Sequence, residues 1–251
     1  MKSLSQLILL LCFGMFLRIN PAIAFQLKPI SQVFAPIGAD ATQSYEIIND
    51  TEKRIAVEVT VVEREMNLDG EESYASAEDE FLVYPSQIIL PPDAVQVVRV
   101  SWLGDPEPEQ EMTFRLKAEQ LPINLVDPNA PTPTRAVGEV KVMLRYLGSL
   151  YVRPADATPE VVLESAIAQS DANGELELAI TFHNQGTASA KLKDLKLTLS
   201  AQGKTVQLFS DQLEGITGMT ILPHHRRRFT LPFPSDLPKG GITASFEYDQ
   251  D

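Results

Sequence analysis

Between Arg54 and Glu63 apolar and polar residues alternate: Ile55, Val57, Val59 and Val61 share one parity, Ala56, Glu58 and Thr60 the other. A period of two predicts a strand with one buried and one wet face, entered here from a turn at Asn49-Asp50. The pattern recurs along the chain. Phe81 and Val83, then Ile88 to Leu90, read as a strand broken at Pro85, and Pro91-Pro92-Asp93 turns the chain into Val95 to Trp102. Met112, Phe114, Leu116 and Ala118 alternate with Thr113, Arg115, Lys117 and Glu119 in a further half-buried strand. Leu121 to Arg135 carries Pro122, Pro128, Pro131 and Pro133 and predicts a long loop. After it comes the longest strand-like run, Val137 to Val152, with Val140, Val142, Leu144 and Tyr146 on one parity and Lys141, Met143 and Arg145 on the other. Gly148 is a point where it can bend.

Arg153-Pro154-Ala155-Asp156 interrupts the series, and a second set of strands follows: Glu160 to Ile167, Glu175 to His183, Leu192 to Leu199, Thr205 to Phe209, Arg228 to Leu231 and Ile242 to Tyr248. Their turns are Asp171-Ala172-Asn173-Gly174, Asn184-Gln185-Gly186, Gln202-Gly203-Lys204 and Lys239-Gly240-Gly241. Short strands at this spacing predict an all-β chain of two sandwiches, residues 25–154 and 155–251. The Cys-Trp-Cys mark of antibody domains is missing, so the likeness to immunoglobulin domains is one of architecture.

Residues 1–24 predict a secretory signal peptide: Lys2 in the n-region, Leu7 to Leu17 as the apolar segment, Ala22-Ile23-Ala24 as the cleavage site. The mature chain is then expected to start at Phe25 and to be exported with no membrane anchor, since no later stretch is apolar enough to span a bilayer; the resemblance given below implies the periplasm. The single cysteine, Cys12, lies inside this leader after Leu11, where a lipoprotein signal would carry a small residue. Disulfides, cysteine-ligated zinc and cysteine nucleophiles are thereby excluded from the mature protein. Of 251 residues, 44% are hydrophobic and 22% charged, which furnishes a packed core. The net charge of -13 argues against a nucleic-acid partner, because a phosphate backbone would be repelled.

Little chemistry is visible. His183 closes a predicted strand, and His224-His225 adjoin Arg226-Arg227-Arg228. Adjacent residues on an extended segment point to opposite faces, so the histidine pair chelates poorly and a solvated basic loop is the better account. No G-x-S-x-G, H-E-x-x-H or P-loop pattern occurs. The acidic run Glu63 to Glu80 lacks EF-hand spacing and brackets Asp69-Gly70, as a wet hairpin would. No catalytic residue, metal or cofactor is expected.

An ordered set of segments resembles the periplasmic pilus-assembly chaperones of the chaperone-usher pathway, the PapD-like family. It comprises Phe25-Gln-Leu-Lys-Pro29, Ile47-Ile-Asn49, Tyr84-Pro85, Pro91-Pro92, Val98-Arg99-Val100 and Phe114-Arg-Leu. It continues with Glu119-Gln-Leu-Pro122, Leu144-Arg-Tyr146, Leu150-Tyr-Val-Arg-Pro154, Asn184-Gln-Gly186, Leu231-Pro232 and Tyr248-Asp249. Each is weak alone; their order and spacing across the mature chain make them specific. Leu144 to Pro154 and Val100-Ser101-Trp102 look more like the archaic branch than the branch that builds P and type 1 pili.

The resemblance implies two immunoglobulin-like sandwiches in a PapD-like arrangement, with pilin or fimbrial subunits and an outer-membrane usher as partners. It also implies donor-strand complementation, in which the chaperone lends a strand to a subunit that lacks its last one. Val140, Val142, Leu144 and Tyr146 are the residues expected to insert. Burying them would contribute on the order of 5 to 9 kcal/mol gross, before the costs of association. On pattern alone an ordinary central strand facing its own core is the better account of this run, and the resemblance reverses that order. The same edge is expected to pair with a second copy when no subunit is present.

One departure is chemical. The better-known branches hold the subunit's terminal carboxylate with an Arg on the first strand and a Lys on the lending strand; the aligned positions here are Ser31 and Ser149. Either another cation takes their place, with Lys28, Arg145 and Arg153 as candidates, or anchoring relies on the strand alone; Arg99 aligns with an Arg read as structural. The alternative function is an exported two-domain binding or adhesion module that recognises surface glycans or proteins through loop aromatics such as Tyr74, Tyr84 and Trp102.

Overall fold

A computed structural model describes residues 25–123, 125 and 142–249. The expected leader, most of the Pro-rich segment and Val140 lie outside the described residues. The first sandwich is formed by β1 (Phe25–Lys28), β2 (Ser31–Phe34), β3 (Thr42–Asn49), β4 (Ile55–Met66), β5 (Glu72–Ser76), β6 (Phe81–Tyr84), β7 (Gln87–Leu90), β8 (Val95–Trp102), β9 (Met112–Gln120) and β10 (Arg145–Val152). One sheet has the order β1-β3-β8-β6; the other runs β2-β10-β9-β4-β5, with β7 also on β4. The second sandwich contains β11 (Val161–Ser170), β12 (Leu176–Asn184), β13 (Ala190–Lys191), β14 (Lys193–Ala201), β15 (Lys204–Leu208), β16 (Thr220–Ile221), β17 (Arg226–Pro232) and β18 (Thr243–Asp249). Its sheets are β11-β12-β17 and β15-β14-β18, with the short pair β13-β16.

The alternation read from the sequence decides what is buried. Ile55, Val57, Val59 and Val61 on β4 meet Phe114, Leu116 and Ala118 on β9 in a first core, which Leu150 and Val152 of β10 complete. Leu178, Ile180 and Phe182 of β12 face Leu195, Leu197 and Leu199 in a second core that shares no residue with the first. Trp102, expected among loop aromatics, is interior: its ring lies 4.9 Å from Phe81 and 5.6 Å from Phe114. Arg99 is exposed on β8, opposite Ser44 and Tyr84, and takes no part in a core.

Two strand readings change. The segment broken at Pro85 is two strands in different sheets, because the chain crosses the sandwich between β6 and β7. The run Val137 to Val152 yields a described strand of eight residues, Arg145–Val152, and the longest described strand is the twelve-residue β4.

Each sandwich ties down one strand end with a buried asparagine. Asn49 donates from Nδ2 to the carbonyls of Lys53, Leu90 and Pro91 and accepts from Thr51. Asn184 donates to Ala188 and Ile221 and accepts from the amides of Glu160 and Gly186. A methyl group in either place strands several buried main-chain groups. Asn49→Ala and Asn184→Ala are therefore each expected to cost on the order of 3 kcal/mol, read by urea unfolding. A loss under about 1 kcal/mol would contradict this assignment.

Candidate functional site

β10 is paired along its whole length on one side and along half on the other. It runs antiparallel to β9 from Arg145↔Glu119 to Val152↔Met112, whereas its parallel partner β2 reaches only from Ser149↔Ser31 to Val152↔Phe34. The amide of Gln120 donates to the Leu144 carbonyl (2.9 Å), while the amides of Ser149 and Arg153 donate to Ile30 (2.8 Å) and Phe34 (2.9 Å). Even-numbered residues thus turn their main-chain groups toward β9 and odd-numbered ones toward the other edge. At Arg145 and Leu147 that edge faces no described strand. β2 comes in so closely that a Cβ on Gly148 would stand 3.2 Å from the Ile30 carbonyl oxygen, so glycine serves close approach here.

The expected inserting residues divide along this edge. Val142 is 71% exposed and lies just before the strand with Met143, also exposed. Leu144 and Tyr146 are half-buried against the protein's own core, the Tyr146 ring meeting Phe25 edge-to-face at 4.9 Å. Val140 is outside the described residues.

The three candidate cations are dispersed. Arg145 reaches the Glu119 carboxylate across the ladder from Nε at 3.0 Å and from Nη2, and this hydrogen bonding holds the Glu119 carboxyl below its usual range. Arg153 donates to the buried Glu111, whose other oxygen accepts the Ser189 amide at 3.1 Å, and so belongs to the junction between the sandwiches. Lys28 is exposed at the end of β1, in the opposite sheet.

A cluster that sequence reasoning missed occupies the outer face beside Ser149. Arg115 stands opposite Ser149 on β9 and donates from Nε and Nη2 to Glu72 (2.9 and 2.6 Å) and from Nη1 to Ser149 Oγ (2.5 Å). Arg64 shares Glu72 Oε1 at 2.6 Å, and the Tyr74 hydroxyl donates to Oε2 at 2.8 Å. Burial alone would raise the Glu72 carboxyl; hydrogen bonds from Arg115 and Tyr74 and the charges of Arg64 and Arg115 outweigh it and hold it at about 2. Arg115 already showed as a polar-face residue of its strand, but its partner lies 43 residues away in a hairpin that reads as solvated.

The tip of that hairpin bridges to the second sandwich. Asp69 takes a two-pronged contact from Arg228 at 2.8 and 2.9 Å, and the Arg228 amide donates to Leu68 at 2.7 Å. Gly70, at φ 82°, leaves room for the Arg227 guanidinium, which a Cβ would meet at 2.8 Å. The expected solvated basic loop is corrected accordingly: Arg226 pairs with Glu164, Arg228 with Asp69, and Arg227 is half-buried. His224 sits in a turn at φ 58° rather than on an extended segment. A cleft of about 150 Å³ lies at the junction, lined by Arg64, Glu65, Glu111, Leu222, Pro223 and His225 among others. Among the described residues no group of three His, Cys, Asp or Glu side chains is placed to hold a metal, and no helix is long and apolar enough to cross a membrane.

The family described as pili and flagellar-assembly chaperone, PapD N-terminal domain, matches residues 33–158. The chain belongs to this family of pilus-assembly chaperones. Solved structures extend the likeness in fold over both sandwiches. The chaperone–tip adhesion subunit complex CsuC–CsuE, from archaic chaperone-usher Csu pili of Acinetobacter baumannii, aligns over 87% of this chain and 91% of that one (TM-score 0.57, 16% identity). The class 5 fimbriae chaperone CfaA aligns over 90% and 100% (0.51, 14%), and a Salmonella enterica SafA pilin–SafB chaperone complex over 85% and 86% (0.50, 14%). No curated protein matches the sequence.

The Glu72 cluster carries a pH signature. A folded-state pKa of about 2 against an ordinary value of 4.5 contributes stability that is present above pH 4.5 and is lost as the pH falls toward 2. Glu72→Gln is expected to reduce stability at pH 7 by on the order of 3 kcal/mol and to flatten its decline between pH 5 and 2, followed by urea titration at each pH. A variant with the wild-type acid dependence would contradict the cluster.

Proposed function

We propose that the chain is a periplasmic chaperone of the archaic type, exported by the leader at residues 1–24, that stabilises pilus or fimbrial subunits by donor-strand complementation and delivers them to an outer-membrane usher. The observation that carries this reading is the half-open edge of β10 at Arg145 and Leu147, continued by the exposed Val142, in a member of a pilus-chaperone family. A subunit lacking a strand pairs its main chain with that edge, and apolar side chains entering its groove supply the affinity. Val140 and Val142 lead this insertion, and Leu144 and Tyr146, half-buried at home, form the lip where the two cores meet. The similar structures CsuC–CsuE and SafA–SafB, chaperones in complex with a tip adhesion subunit and a pilin, support the class of client.

Separate sandwiches of residues 25–154 and 155–251 fit this role, since no described strand of the second pairs with the β10 edge. Val142→Asp is expected to abolish co-purification with a co-expressed pilin subunit from the periplasm while changing the stability of the free chain by less than about 0.5 kcal/mol. Undiminished recovery of the subunit would contradict the proposal.

A further inference from the structure

Among the described residues, the two sandwiches meet at two joints of unlike construction. One is interior. The Glu111 amide donates to the Thr187 carbonyl at 2.8 Å, and the Glu111 carboxylate accepts the Ser189 amide at 3.1 Å while it holds Arg153, the residue that follows β10. The Glu111 side chain has no exposed surface, so losing a partner leaves a buried charge uncompensated. The other joint is on the surface. The tip of the β4–β5 hairpin reaches the edge of β17 that faces away from β12, where the Arg228 amide donates to the Leu68 carbonyl and the Arg228 guanidinium grips Asp69. Here 54% of the Asp69 side chain and 39% of the Arg228 side chain stay exposed, and Leu68 is 40% exposed. Little apolar area is sealed, and an ion pair this wet is only weakly stabilising.

The chain that connects the sandwiches is anchored on both sides of one short stretch. The Arg153 amide donates to Phe34, which ties it to the first sandwich. The Thr158 carbonyl accepts the amides of Thr187 and Ala188, and the Glu160 amide donates to Asn184 Oδ1, which ties that part to the second. Between them lie residues 154–157, closed by a single hydrogen bond from the Ala157 amide to the Pro154 carbonyl. A few loop residues next to a fixed contact are what a hinge requires. The cleft of about 150 Å³ lies between the two joints: Glu111 lines it from the interior joint, and Glu65 and His225 line it from the side of the hairpin and β17.

We propose that the β4–β5 hairpin tip is a releasable clasp. Loss of its contacts to Arg228 lets the second sandwich swing on residues 154–157 about the Glu111 joint, which widens the cleft while both sandwiches stay folded. The two cores share no residue, so the swing breaks neither. Arg227 does not oppose release: its Nη1 donates to the Thr220 carbonyl of its own sandwich, and it only lies against Gly70 of the hairpin. The interior joint stays closed because opening it exposes the buried Glu111, and the clasp gives way first because both its charges are already wetted. This inference is independent of strand lending.

The mature chain suits a distance measurement, since the only cysteine, Cys12, lies in the leader. Spin labels are placed across the clasp at Ser76→Cys and Thr230→Cys, and in a second sample across the interior joint at Glu109→Cys and Lys191→Cys, all exposed positions. Distance distributions are read by electron paramagnetic resonance in the otherwise wild-type chain, in Asp69→Lys, in Arg228→Glu and in the charge swap that combines the two. Folding of each is checked by circular dichroism. The clasp pair is expected to give one main distance in the wild-type background. Each single charge reversal raises the fraction at longer distances by about fivefold or more, and the swap returns it toward the wild-type value. The pair across the interior joint keeps one distance throughout. A clasp distance unchanged in both folded single variants, or an opening that the swap leaves in place, overturns the clasp. A distance across the interior joint that lengthens together with the clasp distance overturns the pivot and the proposed swing.

Discussion

The structure depends on a mismatch in length between two neighbouring strands. β2 covers four residues of β10 and β9 covers all eight, so one strand is anchored at its C-terminal end and, among the described residues, open on one side at its N-terminal end. The anchored end is held by Leu150 and Val152, fully buried in the first core and each worth roughly 1.5 to 3 kcal/mol, and by hydrogen bonds on both sides. The open end presents main-chain groups that sheet proteins usually cover or blunt with charge, because such edges template association. Here the edge leads into exposed Val142 and Met143, as the proposed strand lending requires.

Among the described residues, hydrogen bonds join the two sandwiches in two places: the β4–β5 hairpin tip on β17 through Asp69, Leu68 and Gly70, and Glu111 with Arg153, Ser189 and the Thr187 carbonyl. Both combine main-chain hydrogen bonds with paired charges, and the buried Glu111 makes the second set costly to break by loss of a single partner. The same hairpin carries Glu72, so the element that clasps the second sandwich also orients the Arg115 guanidinium beside Ser149.

Much of the fold was legible because period-2 patterning is a local signal. β8 matched Val95 to Trp102 residue for residue, and β4, β9 and the main strands of the second sandwich differed from expectation by a few residues at their ends. The short strands β13 and β16 carried too few residues to show a period, and β1 and β2 are separated by only two residues. Parity could show that Leu144 and Tyr146 share a face but not whether that face meets the protein's own core or another's. The Arg115–Glu72–Arg64 cluster was illegible for a different reason: its members come from three strands, and a charged residue on a wet face looks alike in sequence whether it meets solvent or a distant carboxylate. Ser31 and Ser149, aligned by family resemblance, do stand side by side, which is what made their neighbour Arg115 visible once the register was known.

The central claim is that the edge at Arg145 and Leu147 is open in the free chain and occupied in the complex. Residue-resolved amide hydrogen exchange on the mature chain, alone and bound to a pilin subunit, tests it most directly, with the amides of Tyr146 and Gly148, which face β9, as internal references. The account predicts fast exchange at Arg145 and Leu147 in the free chain and at least about tenfold slowing on binding, with little change at the two references. Protection of Arg145 and Leu147 already present in the free chain, or no slowing when a subunit binds, would contradict it.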